Sequence, residues 1–216
     1  IIVSYLNFSK INSFEYMLLI VLSLLGQMIL CSSFDFLSLY LGIELHSLAL
    51  YTLAAFNRKS AYSTEAALKY FILGALSSGF LLFGITLIYG FSGTTNFEDL
   101  RILLSLNLLN YNISTIGIVF ISSAFLFKVS AAPFHVWVPD VYEGAPLVST
   151  IFFAIIHKIA LFLVITRLFF VSFSTQPEFW QFMFCFSAVL SVTIGSVLSL
   201  KQRKIKRLFA FSAICL

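Results

Sequence analysis

The chain has 216 residues, of which 60% are hydrophobic and only 10% charged, and it carries a net charge of +4. Soluble domains average about 25% charged residues, so this composition excludes a water-exposed globule and places the chain among membrane proteins. The basic residues flank apolar runs, as topology signals do, which argues for lipid as the surrounding medium and against a nucleic-acid partner.

A membrane span needs about 20 mainly apolar residues. The first predicted span runs from about Phe14 to Ser33, and a tight turn at Ser32, Ser33 and Asp35 leads into a second from Phe36 to Phe56. The third begins near Ser63, a suitable N-cap with Glu65 in the first turn, and reaches Gly90. Its Gly74/Ser78 and Ala75/Gly79 pairs give the small-xxx-small spacing that lets helices approach closely. Residues Phe91 to Asn112 read as a polar, turn-rich connection, the longest outside the spans. A fifth span is predicted from about Val148 to Val171, a sixth from about Phe179 to Leu200, and the start of a seventh near Ile205.

The fourth span, from Ile113, differs. Pro133, Pro139 and Pro146 punctuate its second part, and proline removes a backbone donor and clashes with the preceding turn. The run to Tyr142 is still mostly apolar, so the reading is a broken helix: one half to about Val129, an unwound stretch at Ser130–Pro133, then a short second half. Broken backbone at membrane depth survives only where protein buries it or it lines a wet cavity. The alternative is a helix that ends at Val129 and runs into a surface loop.

With the spans alternating, one side collects Lys10, Arg58, Lys59, Lys201, Arg203, Lys204, Lys206 and Arg207, and the other Asp35, Glu98, Asp99, Arg101 and Glu178. The basic side, which also takes Asp140 and Glu143, faces the cytoplasm or a mitochondrial matrix. Cys31, Cys185 and Cys215 sit singly in apolar runs. They have neither metal-ligand spacing nor the even count of a disulfide framework, and read as packing residues. No metal site and no cofactor-binding site is expected in this chain. The 26 phenylalanines fit an A+T-rich genome such as an organelle's.

A few charges fall where lipid should forbid them. Glu44 lies roughly 12 Å into the second span and Lys158 roughly 15 Å into the fifth, at the rise of a helix, while Lys128 stands at the break of the fourth. Each such charge costs about 2.5–3.5 kcal/mol even on a lenient scale, so these groups must be paired, wet or able to neutralise. Burial drives a lysine toward its neutral form and a nearby carboxylate drives it back. A Glu–Lys pair of changing separation is therefore a proton switch, and lysine suits it where arginine, always protonated, does not. Glu44, Lys128 and Lys158 are the candidates for proton transfer. Lys69, one turn after Glu65, fits an ordinary i,i+4 pair equally well. His135 and His157 titrate in a range useful for relays. His46, two residues from Glu44 and pointing away from it, is set aside. The alternative is a scaffold in which these charges form static ion pairs.

Four stretches carry a resemblance: Leu41-Gly42-Ile43-Glu44-Leu45; Ser63-Thr64-Glu65-Ala66-Ala67-Leu68-Lys69-Tyr70, continuing through Gly74–Gly90; Phe127-Lys128-Val129-Ser130-Ala131-Ala132-Pro133-Phe134-His135-Val136-Trp137 through Pro146; and Lys204-Ile205-Lys206-Arg207-Leu208. Together, over about Phe34 to Ala213, they resemble the subunit 2 family of NADH–ubiquinone oxidoreductase, respiratory complex I, more closely than subunits 4 and 5. The resemblance implies an all-α polytopic membrane protein built as an antiporter-like bundle of two inverted five-helix repeats, each with a broken helix. Residues 1–216 would form one transmembrane domain, with about 14–171 the first repeat and about 179–216 the start of the second. Glu44 matches the family's buried glutamate, Lys128 the lysine of the first broken helix, Lys158 the central-axis lysine, and Lys69 a further lysine important for activity. His135 falls in the family's Pro-Phe-His-x-Trp segment.

The implied function is proton translocation in the membrane arm of an NADH:ubiquinone reductase, in the mitochondrial inner membrane. NADH, FMN, iron–sulfur clusters and ubiquinone would be handled by other subunits. The family's second broken helix lies beyond the matched residues. The chain begins at Ile1 and ends within an apolar run, which reads as a fragment, a split-gene product or an incompletely covered chain, with the missing half supplied by a second chain or by residues outside these 216. The related alternatives are an antiporter-like subunit of a plastid (thylakoid) or bacterial (plasma-membrane) NAD(P)H dehydrogenase, and a cation/proton antiporter.

Overall fold

The computed structural model describes residues 14–106 and 111–215; Lys10 lies outside them. Long apolar runs with few helix breakers fold here into ten α-helices and one π-helical turn, counted among the described residues. They are α1 (Phe14–Ser32), α2 (Phe36–Ala54), α3 (Ala61–Ser92), α4 (Phe97–Ser105), α5 (Tyr111–Val129), α6 (Trp137–Gly144), α7 (Leu147–Ala154), α8 (Ile156–Arg167), the π-helical turn Leu168–Ser172, α9 (Pro177–Ser199) and α10 (Ile205–Cys215). Five segments are long and apolar enough to cross a membrane: α1, α2, α3, the run Leu147–Ser172, and α9. A shorter apolar helix, Ile113–Val129, forms the first half of the broken fourth span.

Helix α2 is the hub. It packs against α1, α3 and α7, and most of its circumference is covered, leaving exposed one stripe of Leu37, Leu41, Leu48 and Thr52. Its contact with α1 is close because Gly26 and Gly42 stand where the helices cross. A Cβ on Gly26 would lie 2.7 Å from the His46 backbone nitrogen, and one on Gly42 would lie 2.9 Å from that of Leu30. Gly74 of α3 similarly makes room for the Tyr51 hydroxyl, which a Cβ there would meet at 2.1 Å. The pair Ala75/Gly79 plays no such part, since a Cβ on Gly79 would meet nothing within 4 Å.

The apolar interior falls into two clusters. One lies toward the acidic end and is rich in phenylalanine: Phe36, Phe97, Phe125, Phe169 and Phe173, with Trp180. The other lies toward the basic end around Tyr16, Tyr51, Tyr70, Trp137 and Phe153. In the latter the rings of Tyr70 and Trp137 stack with centroids 4.6 Å apart, and Tyr51 meets Tyr70 edge-on at 4.7 Å.

Two local expectations need correction. The third span begins two residues earlier than predicted, with Ser60 at the N-cap position; Ser63 lies inside the first turn and its hydroxyl donates to the Ala54 carbonyl at 2.8 Å. The connection read as polar and turn-rich contains α4, whose Phe97, Leu100 and Leu104 are buried at helical spacing. Asn96 caps it by accepting from the Glu98 amide at 2.9 Å, and an antiparallel bridge between Asp35 and Asn96 ties this end to the start of α2. The fifth span, predicted from about Val148 to Val171, runs over Leu147–Ser172 as expected, though not as one regular helix. It is interrupted at Ile155, where φ is −109° and ψ is −67°, and it ends in the π-helical turn.

Candidate proton-transfer site

The break after Val129 follows from how α5 ends. The Ala131 amide donates to the Leu126 carbonyl at 2.9 Å and the Ser130 amide to that of Phe127 at 3.0 Å. This pair of bonds around a left-handed residue is a Schellman cap. The left-handed residue is Ser130, at φ +72°, where glycine is more usual. The chain stays unwound until Trp137, through a cis Ala132–Pro133 peptide. The Trp137 indole donates to the Phe127 carbonyl at 3.2 Å, holding the second half, α6, against the first. The unwound stretch is not a surface loop: Ser130 and Ala132 are buried, and α6 packs on α3 and α10.

Lys128 therefore sits in the last turn of α5, where the helix dipole favours a cation, and only 6% of it is exposed. Glu44 is the carboxylate whose charge acts on it. The two form no direct ion pair, and Glu44 Oε1 is buried with no hydrogen-bond partner among the described residues. Tyr40, Glu44, Ser47 and Tyr51 follow one another at helical spacing along α2, and the charge of Glu44 reaches both tyrosines.

The opposite stripe of α2 carries the group that sequence reasoning set aside. His46 does point away from Glu44, but it points into the protein. It is 1% exposed, and its Nε2 is hydrogen-bonded to Nδ1 of His157 across to α8, with ring centroids 4.4 Å apart. Gln27 of α1 approaches His46 Nδ1 with its side-chain amide at 3.3 Å, and the Ser23 carbonyl faces the same ring. His157 in turn faces the Lys128 carbonyl, which a helix end leaves without an intrahelical partner. The signal that could have found this pair was the close α1–α2 crossing implied by Gly26 and Gly42, which turns that face of α2 inward.

The interruption at Ile155 lets neighbouring residues of the fifth span diverge. His157 turns toward α2, while the Lys158 ammonium turns the other way and donates to the Ala213 carbonyl of α10. Lys158 lines two cavities. One, of about 230 Å³, is lined by Val129, Ala131, Ser187 and Ser191; the other, of about 490 Å³ and mostly apolar, by Tyr142, Ile151, Ile205 and Phe209.

The remaining candidates lie elsewhere. Lys69 is near the basic end with its side chain 43% exposed, bonded at 2.8 Å to both Glu65 and Asp140. It belongs to an ionic cluster in which Arg207 reaches Asp140 and Glu143, and Lys204 reaches Glu143. A cavity of about 220 Å³ opens among these side chains. Lys204, foremost, and Arg207 hold the Glu143 carboxyl below the usual carboxylate range, against partial burial. His135 stands in the unwound stretch away from Lys128, its Nδ1 buried without a partner. Pro133 is exposed at the break. Arg167, unremarked in the sequence, donates to the Cys31 carbonyl at 3.1 Å and lies 3.7 Å over the Phe34 ring. Among the described residues no three His, Cys, Asp or Glu side chains gather as a metal site.

Comparison with known proteins places these features in context. The family model described as NADH:quinone oxidoreductase/Mrp antiporter, TM, matches residues 33–215. NADH-quinone oxidoreductase subunit N of Paramagnetospirillum magneticum is 49% identical over 214 residues, covering 97% of this chain and 44% of the relative. NADH-ubiquinone oxidoreductase chain 2 of Marchantia polymorpha is 46% identical over 215 residues, again 97% and 44%. Among solved structures, respiratory complex I from Thermus thermophilus contains a chain 33% identical with a TM-score of 0.81, covering 94% of this chain and 43% of that one. An archaeal membrane-bound sulfane sulfur reductase has one 28% identical with a TM-score of 0.84, covering 93% and 41%. The chain thus spans less than half the length of the proteins it matches.

Proposed function

Because the chain belongs to the NADH:quinone oxidoreductase/Mrp antiporter transmembrane family, we propose that it forms the first proton-conducting half of an antiporter-like subunit in the membrane arm of an NADH:quinone oxidoreductase. Lys128 carries the reading: an almost fully buried lysine at a helix break, with no direct ion pair to Glu44, which itself keeps one buried oxygen free. A static ion pair would be closed by direct bonds, because each uncompensated buried charge is expensive. Here the pair is open, and small movements of the broken helix change its separation. When Glu44 is close, Lys128 stays protonated; when it recedes, burial favours release of the proton toward Lys158. Lys69 and His135 play a supporting part, Lys69 anchoring the basic end where protons enter the bundle.

In this reading residues 14–171 are the first repeat and 179–216 begin the second, inverted one. Sequence outside residues 1–216 completes that repeat, and a mass measurement on the native complex shows whether it is a separate chain. Other membrane subunits flank the bundle, lipid surrounds it, and NADH, FMN, iron–sulfur clusters and the quinone are handled elsewhere in the complex. The Phe-rich composition favours a mitochondrial inner membrane over a thylakoid or bacterial one, which co-fractionation with cytochrome oxidase tests.

The decisive experiment contrasts Lys128→Arg with Lys128→Met in sealed vesicles, reading NADH-driven proton uptake per assembled complex. Arginine keeps the charge but cannot release its proton. Both variants should assemble and lose most coupled turnover, and Lys158 should behave likewise. Near wild-type pumping by the arginine variants would replace the proton-path reading with a scaffold of static charges.

A further inference from the structure

We propose that the His46–His157 pair is a second proton-holding site that is occupied when Lys128 is neutral. The inference rests on the proton-path reading above and extends it to two imidazoles buried in the bundle, one of which sequence reasoning had excluded.

The argument is a count of hydrogen-bond partners. The pair has four ring nitrogens. In the neutral state two carry protons. Gln27 donates to His46 Nδ1, His46 Nε2–H donates to His157 Nδ1, and His157 Nε2–H is free to donate to the Lys128 carbonyl that faces it. All four nitrogens then have partners. In the singly protonated state three carry protons. For His46 Nδ1–H the Gln27 side chain supplies the acceptor by turning its amide, so that Oε1 takes the place of Nε2 beside the ring; the middle proton is shared between the rings, and His157 still donates to Lys128. Each ring N–H again has an acceptor. A structural histidine pair needs partners for one protonation state only. A pair with partners for both can take up and return a proton without leaving a buried polar atom unsatisfied.

The charged groups facing the pair set the order of events. From α5 the Lys128 ammonium acts on both rings, and from α8 Lys158 acts on His157. Helix α1 presents only the neutral Ser23 and Gln27. Like charges disfavour each other, so an imidazolium here and an ammonium on Lys128 exclude one another. Occupancy alternates: one proton leaves the Lys128 ammonium, giving the neutral amine, and one proton resides on the imidazole pair, with no net change of charge in the bundle.

The test uses the intact complex in sealed vesicles. His46→Gln preserves hydrogen bonding but cannot hold the proton, and His46→Phe removes both. The expected result is assembled complex whose proton uptake per NADH falls by about tenfold or more, as loss of a positioned proton carrier does, with the pH profile of pumping altered in the glutamine variant. Full pumping and an unchanged profile in His46→Gln would overturn the inference, and so would failure of both variants to assemble, which would make the pair a structural tie. Lys128→Arg, measured in parallel, separates the two ideas. If it loses pumping while His46→Gln does not, the histidine inference alone fails. If Lys128→Arg pumps normally, the proton-path reading fails with it.

Discussion

Ser130 shows how much a single residue can decide. A non-glycine residue in the left-handed region costs about 1–2 kcal/mol, and at Ser130, φ +72°, the cost is met by the two Schellman bonds that end α5. Ser130→Gly should preserve the break and leave the complex as stable as before or slightly more so. Ser130→Val, β-branched in the same region, should destabilise it by at least that 1–2 kcal/mol. The fraction of complex surviving a temperature ramp measures both. The residue scale is also where sequence reading was most uneven. Glu44, Lys128 and Lys158 stood out because a charge in an apolar run needs no structure to be conspicuous. His46 did not, because whether it faces the interior depends on which helix lies against it, and that is fixed by the α1–α2 crossing at Gly26 and Gly42. Lys69 was legible as half of an i,i+4 pair, but its bond to Asp140 spans 71 residues of sequence, beyond any local pattern.

Among the elements, the spans were legible because about 20 apolar residues in a row have few other uses, and the break at 130 because prolines mark it. Helix α4 was hidden by the polar residues around it, and the interruption at Ile155 by the absence of any proline or glycine there. Helices α3, α6 and α10 meet at the basic end through Lys69, Asp140, Glu143, Lys204 and Arg207. Glu143 is held below the ordinary carboxylate range, chiefly by Lys204. A carboxylate depressed in the folded state adds stability that is present above its unfolded pKa and lost as pH falls through the folded one. The α6–α10 tie should therefore be intact at neutral pH and loosen only on acidification below the usual carboxylate range. Hydrogen exchange of α10 should rise in that acid window, and Lys204→Met should move the rise to higher pH.

For the molecule as a whole, the alternation of spans sets Glu98 and Lys59, both exposed, on opposite faces of the membrane. A cysteine introduced at Glu98 should react with an impermeant thiol reagent from the acidic side, and one at Lys59 from the basic side. Labelling of both from one face would break the assigned topology. The two apolar clusters then acquire an electrical meaning. Nearly all the described ionisable groups within the bundle lie between the basic end and mid-depth, while the acidic half is filled by Phe36, Phe97, Phe125, Phe169 and Phe173. On the proton-path reading, a charge at mid-depth must cross this phenylalanine half to leave on the acidic side, and each 100 mV across the whole membrane is worth roughly 2.3 kcal/mol per elementary charge. On that reading the aromatic packing is the insulation of the path, and thinning it, as Phe169→Ser would, should let the membrane discharge through this subunit.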